Sequence, residues 1–272
     1  MRLRAALASF LLLIAAPALA ATPRYSVQIV KTYPHDPAAF TEGLFYLNDS
    51  LYESTGRNGQ SWIRQVDLAT GKPLRQVSID KRYFGEGVAP WKGRIVSLTW
   101  RSGVGFVWSQ ATLKPLRTFH YRGEGWGLTA DARHLIMSDG TATIKFLDPV
   151  TLKAVRTITV TLDGQPLDQI NELEWVKGEL IANVWRTRQL ARIAPKTGVV
   201  TGVVDLYNLP EIASPSPVAP VKEPNASPWW SRARHADRRP FLMARNRITS
   251  ALRRWFENQG FVETAVAALQ VS

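Results

Sequence analysis

A β-propeller is the fold class that this chain predicts, and three observations predict it. A Glu-containing head recurs four times, at Thr41-Glu42-Gly43-Leu44, Gly85-Glu86-Gly87-Val88, Gly123-Glu124-Gly125-Trp126-Gly127-Leu128 and Asn171-Glu172-Leu173-Glu174-Trp175. Each head is followed, about 25 to 28 residues later, by a turn built on Thr70, Thr112, Thr151 or Thr197. The turns stand 42, 39 and 46 residues apart. Between them lie short segments rich in β-branched and aromatic residues, with no convincing amphipathic helix. A period near 40 residues made of short strands marks a propeller, one four-stranded blade per repeat. After Asp205-Leu206-Tyr207-Asn208-Leu209-Pro210 the repeat stops.

The elements follow from local chemistry. Strands are expected over 25–30, 51–54, 63–67, 95–98, 143–147, 155–160, 180–184 and 199–203, each bounded by Gly, Asp, Asn or Pro. The turn Asp67-Leu68-Ala69-Thr70-Gly71-Lys72 has the chemistry of a hairpin loop with Gly in the left-handed conformation. Asp139, in Ser138-Asp139-Gly140, reads as another turn. Residues 1–20 read as a signal peptide: Arg2 and Arg4, an apolar run, then Ala18-Leu19-Ala20. Cleavage after Ala20 is expected, with export to a bacterial periplasm or secretion and no stable membrane association afterwards. The propeller is expected over 21–210, a Pro/Ser-rich linker over 211–228 and a helical tail over 229–272. Within that tail, Ile248, Leu252, Trp255 and Phe256 line one face of a helix over 245–259.

Composition narrows the function. With no cysteine there is no disulfide framework and no thiolate chemistry. The net charge of +12 is unevenly spread. Residues 1–20 carry two positives, and 225–272 carry eight Arg against Asp237, Glu257 and Glu263, which leaves only +5 on 21–224. Nucleic-acid binding by the body is therefore not indicated. His35, His120, His134 and His235 have no ligand-spaced partners, so neither a metal nor a cofactor is expected.

The order of motifs resembles one family. Phe40-Thr41-Glu42-Gly43-Leu44, Glu53-Ser54-Thr55-Gly56, Phe84-Gly85-Glu86-Gly87, Leu98-Thr99-Trp100, Gly125-Trp126-Gly127-Leu128, Asn171-Glu172-Leu173-Glu174-Trp175 and Asn183-Val184-Trp185 are similar to the plant- and bacterial-type glutaminyl-peptide cyclotransferases. The resemblance covers about 25–210. It implies a five-bladed propeller that converts N-terminal glutamine of peptides and proteins to pyroglutamate with release of ammonia. It assigns Glu86 the acid/base role, places Phe40, Phe84, Trp100, Trp126 and Trp185 around the glutamine side chain, and has Glu42 and Asn171 hold its amine and amide. The family's fifth blade opens on Asn-Gly-Ile-Ala and carries a Gly-Lys-x-Trp-Pro segment; neither is found here, so the last blade is expected to be truncated. Residues 227–272 instead resemble the front of a lysyl-tRNA synthetase-like protein, the elongation factor P lysine ligase, and a join of two reading frames is the expected origin. Such a truncation is expected to expose the apolar faces of two blades and to impair activity. A monomer is expected.

The chemistry needs little more than a placed carboxyl group and an ordered substrate. The α-amine attacks its own γ-carboxamide, and one carboxyl can carry the proton from amine to leaving nitrogen. Holding the chain coiled supplies proximity. Structural readings compete with each assignment. A Glu in a Gly-Glu-Gly turn usually caps backbone N–H groups, and Glu124 and Glu172 are both expected to be such turn residues. Trp91, Trp108 and Trp175 are expected in the core or rim. A non-catalytic peptide- or partner-binding propeller is the alternative function.

Overall fold

The computed structural model describes residues 21–207 and Leu209. Among these residues the chain forms four successive antiparallel blades. A short strand β1 (Arg24–Ser26) precedes them. Blade one is β2 (Thr41–Leu47), β3 (Ser50–Thr55), β4 (Trp62–Asp67) and β5 (Pro73–Ser78). Blade two is β6 (Gly85–Trp91), β7 (Arg94–Thr99), β8 (Val104–Ser109) and β9 (Pro115–His120). Blade three is β10 (Leu128–Ala130), β11 (Leu135–Met137), β12 (Thr143–Leu147) and β13 (Ala154–Thr159). A hairpin, β14 (Thr161–Leu162) and β15 (Gln165–Pro166), leads to blade four: β16 (Ile170–Val176), β17 (Glu179–Val184), β18 (Gln189–Ile193) and β19 (Val200–Asp205). The segment expected as a strand over 25–30 pairs only as β1, parallel to β19. Val27 and Ile29 instead pack against blade four as apolar anchors. The expected linker and helical tail lie outside the described residues.

The predicted turns recur with one geometry. The Asp67 N–H donates to Lys72 O at 2.9 Å and the Gly71 N–H to Asp67 O at 2.8 Å. Ser109 with Leu113 and Lys114, Asp148 with Leu152 and Lys153, and Ala194 with Gly198 and Val199 repeat both bonds. All four turns need a left-handed residue, and two use Gly71 (φ 70°) and Gly198 (φ 82°). The other two use Leu113 (φ 55°) and Leu152 (φ 59°). That conformation costs a leucine roughly 1–2 kcal/mol. Both side chains are buried in inter-blade cores, and burying a leucine contributes about 1.5–3 kcal/mol, enough to offset it.

Alternation along each strand builds three cores between blades. Phe45, Tyr52 and Ile63 of blade one meet Val88, Ile95 and Trp108 of blade two. Ala89, Val96 and Leu98 meet Leu128, Leu135 and Met137. Ile136, Ile144 and Phe146 meet Leu173, Leu180 and Ala182. The two end faces carry their own clusters: Leu44, Leu51 and Val66 on blade one, and Ile181, Leu190, Leu206 and Leu209 on blade four. These residues are all buried, so the expected exposure of two apolar blade faces does not occur. Residues that precede blade one do part of the covering: Val27 and Ile29 on blade four, and His35 and Asp36 on blade one.

Two devices link neighbouring blades. At the inner heads, a Cβ on Gly43 would lie 2.7 Å from Val88 N, and one on Gly87 would lie 2.5 Å from Leu128 N and Trp126 O. Gly127 stands equally close to the backbone of Asn171 and Glu172. Only glycine permits this approach. At the outer strands, an arginine five residues after each of the first three turn Thr residues reaches a carbonyl in the next blade's turn. Arg75 donates to Gln110 O (3.2 Å) and Ala111 O, Arg117 to Val150 O (2.6 Å), and Arg156 to Pro195 O (2.9 Å). Blade four has Gly202 at this step, and the Tyr25 ring of β1 lies against it.

Candidate active site

Three of the four heads are β-bulges on the first strand of their blade. In β2, Thr41 pairs with Thr55 but Gly43 pairs with Ser54, which leaves Glu42 outside the ladder. In β6, Gly85 pairs with Thr99 and Val88 with Ser97, so Glu86 and Gly87 together oppose Leu98. In β16, Ile170 pairs with Val184 and Leu173 with Ala182, so Asn171 and Glu172 oppose Asn183. A bulge re-aims the side chains it carries, and it is common beside functional sites. The third head precedes the β10 ladder: Trp126 N–H donates to Ser138 O at 3.1 Å and Ser138 N–H to Gly127 O at 3.1 Å. Glu42, Glu86, Trp126 and Asn171 thus hold corresponding positions, on first strands that pack against one another in order. All four are buried.

The aromatic residues form an arc. Phe40 meets Phe84 edge-on at 6.1 Å between centroids, and Phe84 tilts onto Trp100 at 5.5 Å. Trp126 meets Trp185 edge-on at 5.6 Å. The two halves are joined by one carboxylate. Glu124 Oε2 accepts from Trp100 Nε1 at 2.6 Å and from Trp126 Nε1 at 2.8 Å, and Oε1 accepts from Arg101 Nε at 2.9 Å. Three guanidiniums lie over the rings: Arg57 over Phe40 (4.5 Å), Arg101 over Trp100 (3.8 Å) and Arg186 over Trp185 (4.3 Å). Partial burial works to raise the Glu124 pKa, but the bonds from Trp126, Arg101 and Trp100 outweigh it and hold the group below its ordinary value.

The polar groups are set by buried backbone contacts. Glu42 and the Phe84 ring both lie against Gly56, where a Cβ would stand 2.9 Å from Glu42 Oε1. Ser138 Oγ donates to Asn171 O at 2.5 Å and accepts from Gly127 N–H at 2.7 Å, tying head three to head four. Asn183 Oδ1 accepts from Glu172 N–H at 2.8 Å. Beside Glu86, the Tyr121 hydroxyl accepts from Thr99 N–H at 2.9 Å and donates to Thr99 O. Burial, aided by the Glu86 charge, pushes the Tyr121 pKa up to about 12. No group of three or more His, Cys, Asp or Glu that could hold a metal occurs among the described residues.

Every sequence-predicted site residue therefore falls on a head or on the aromatic arc. Glu172, expected as a turn residue, does bond a backbone N–H, but one in the neighbouring blade: its Oε1 accepts from the buried Leu128 N–H at 3.1 Å. The turn role does not suit Glu124, whose oxygens go to two indoles and a guanidinium. Sequence reasoning also missed Arg57, Arg101, Arg186 and Ser138. A signal for Glu124 existed: it stands two residues before Trp126, as Phe40 and Phe84 stand before Glu42 and Glu86. The core reading holds for Trp108, which is 3% exposed and bonds Ser97 Oγ at 2.9 Å; Trp91 and Trp175 sit partly buried at the core margins.

A family model described as glutamine cyclotransferase matches residues 3–221. The chain belongs to the glutamine cyclotransferase family. A glutaminyl-peptide cyclotransferase of Arabidopsis thaliana is 40% identical over 185 residues, which are 67% of this chain and 58% of that protein. The chain thus spans less than two thirds of that relative's length. The crystal structure of Myxococcus xanthus glutaminyl cyclase superposes with a TM-score of 0.65 at 37% identity, over 69% of this chain and 80% of that one. The glutamine cyclotransferase match ends at residue 221, ahead of the 229–272 tail. The tail's expected resemblance to a lysyl-tRNA synthetase-like protein is not supported by these comparisons.

Proposed function

We propose that this chain is a glutaminyl-peptide cyclotransferase, acting on peptides and proteins that begin with glutamine. The observation that carries the reading is Glu86, a buried carboxyl in a bulge at the head of blade two, in a chain where the family's pocket aromatics form one arc. The free α-amine of a peptide has a pKa near 7.7–8.0, so a base at its side favours the neutral, attacking form. Glu86 takes the proton as the amine nitrogen bonds to the γ-carbonyl carbon. It returns that proton to the amide nitrogen as the carbon–nitrogen bond breaks, giving pyroglutamate and ammonia. Phe40, Phe84, Trp100, Trp126 and Trp185 hold the methylene chain and exclude water. Glu42 receives the substrate amine and Asn171 the amide.

Incubating the purified protein with a Gln-terminal peptide tests the reading. The peptide should lose the mass of one ammonia faster than its spontaneous rate. Binding of the peptide by folded protein, with no mass change, would favour the non-catalytic propeller instead.

We also infer a monomeric ring of the five-bladed type, with four blades among the described residues. A crystal structure in which blades one and four close directly on each other would contradict five blades, and light scattering at twice the monomer mass would contradict the monomer. Residues 1–20 support export to a periplasm or secretion, and finding the protein in the cytoplasmic fraction with residues 1–20 intact would count against it.

A further inference from the structure

We propose that Glu124 is a positioning residue of the substrate pocket: it aims Trp100 and Trp126 and joins the two halves of the aromatic arc. This rests on the cyclase reading and extends it to a residue with no assigned role there. Three observations carry it. The first is convergence. Both indole N–H groups point to one oxygen, Oε2, at 2.6 and 2.8 Å. An indole nitrogen only donates, so each ring is oriented by wherever its acceptor stands. Trp100 belongs to blade two and Trp126 to the head of blade three, so the shared acceptor also fixes the blades' pocket walls relative to each other.

The second observation is continuity. Ring contacts run from Phe40 through Phe84 to Trp100, and again from Trp126 to Trp185. Glu124 stands where those two runs meet. Losing its carboxylate removes the acceptor that Trp100 and Trp126 share, and the disturbance reaches the rings they touch, Phe84 and Trp185. The third is the back support. Arg101 bonds Oε1 at 2.9 Å while its guanidinium lies 3.8 Å over the Trp100 ring, so carboxylate, arginine and indole brace one another. The indole bonds end on an ionised carboxylate, which strengthens them, while the partly exposed Arg101 pair adds less. A carboxylate serving only as a turn cap would bond backbone N–H groups of its own loop; this one bonds two indoles and a guanidinium.

The test is a kinetic split on the full chain with a Gln-terminal peptide. Glu124→Ala should raise KM about tenfold, from the loss of strong acceptor bonds that order the pocket, with a smaller loss in kcat. Its near-ultraviolet circular dichroism should show weakened, shifted indole bands. Glu124→Gln keeps an acceptor oxygen for both indoles but turns an amide donor toward Arg101, so its KM should fall between the two. Should Glu124→Ala not fold, the Trp100→Phe/Trp126→Phe pair carries the test. It keeps an aromatic ring at each position, though a smaller one, and removes the donors; KM should rise, and adding Glu124→Gln should change KM little further, as coupled groups do. Wild-type turnover with KM unchanged in the folded Glu124 variants overturns the positioning role alone, as does a full, independent Glu124→Gln effect in the double-Phe background. A wild-type protein that neither turns over nor binds the peptide overturns the cyclase reading, and the substrate role of Glu124 with it.

Discussion

At Glu174, a carboxyl on β16 is 3% exposed, with Glu172 two residues before it. Burial first, and then the Glu172 charge, raise its pKa well above the ordinary carboxylate value. The native state therefore keeps a proton that the unfolded chain has already lost. Above the unfolded value, stability falls as pH rises toward the folded pKa. Glu174→Gln removes this term, so its melting temperature should gain on wild type as pH is raised from about 5 to about 8. A constant difference across that range would contradict the account. Asp139 works the other way. Burial opposes its charge, but Lys145, with Nζ at 2.8 Å, and Thr141 hold it lowered. Its contribution is present above the unfolded value and is lost as pH falls through the folded one. Glu174 and Glu86 read alike in sequence, as glutamates in heads. What separates a buried acid on the blade-four strand from one in a bulge is register, and register depends on partners far along the chain.

Between elements, the glycine heads and the arginine clasps do different amounts of work. A methyl group on Gly87 meets backbone nitrogen and oxygen at 2.5 Å, and neither can move without shifting a blade. Gly87→Ala should destabilise by about 1–3 kcal/mol or more, read from urea unfolding. Arg117→Ala removes one hydrogen bond from an exposed side chain, and about 0.5–1.5 kcal/mol is the expected loss. Equal effects would mean that close head packing is not what sets blade spacing. The four turns were legible because Thr, Asp and Gly supply local turn chemistry at a fixed period. The arginines share that period, five residues after Thr70, Thr112 and Thr151, yet their meaning was hidden. Their acceptors lie 33 to 39 residues on in the following blade, beyond any local pattern.

Across the molecule, the segment ahead of blade one touches both end faces of the array. Val27 and Ile29 pack on blade four, and His35 and Asp36 reach blade one. There Glu53, fully buried, accepts from His35 Nε2 at 2.9 Å, from Arg64 Nε at 3.1 Å and from Thr41 Oγ1, while Arg64 also reaches Asp36 at 3.0 Å. Arg64→Ala leaves Glu53 buried without its guanidinium and should cost about 3–5 kcal/mol. A loss below about 1 kcal/mol would show that the Glu53 charge is compensated without Arg64. The sequence pattern disclosed the blades because each is a local repeat. It did not disclose that one non-repeating segment reaches both end faces, because only Tyr25 and Ser26 of its strand-like 25–30 stretch pair.

The central claim is that the blade heads assemble a cyclase site around Glu86, and a direct comparison tests it. Ammonia release from a Gln-terminal peptide would be followed for wild type and Glu86→Gln at matched concentration, with both shown to be folded by far-ultraviolet circular dichroism. The account predicts turnover by wild type and a loss of about two or more orders of magnitude in kcat for the variant, the scale of a removed general acid–base. Turnover by Glu86→Gln at the wild-type rate would contradict it.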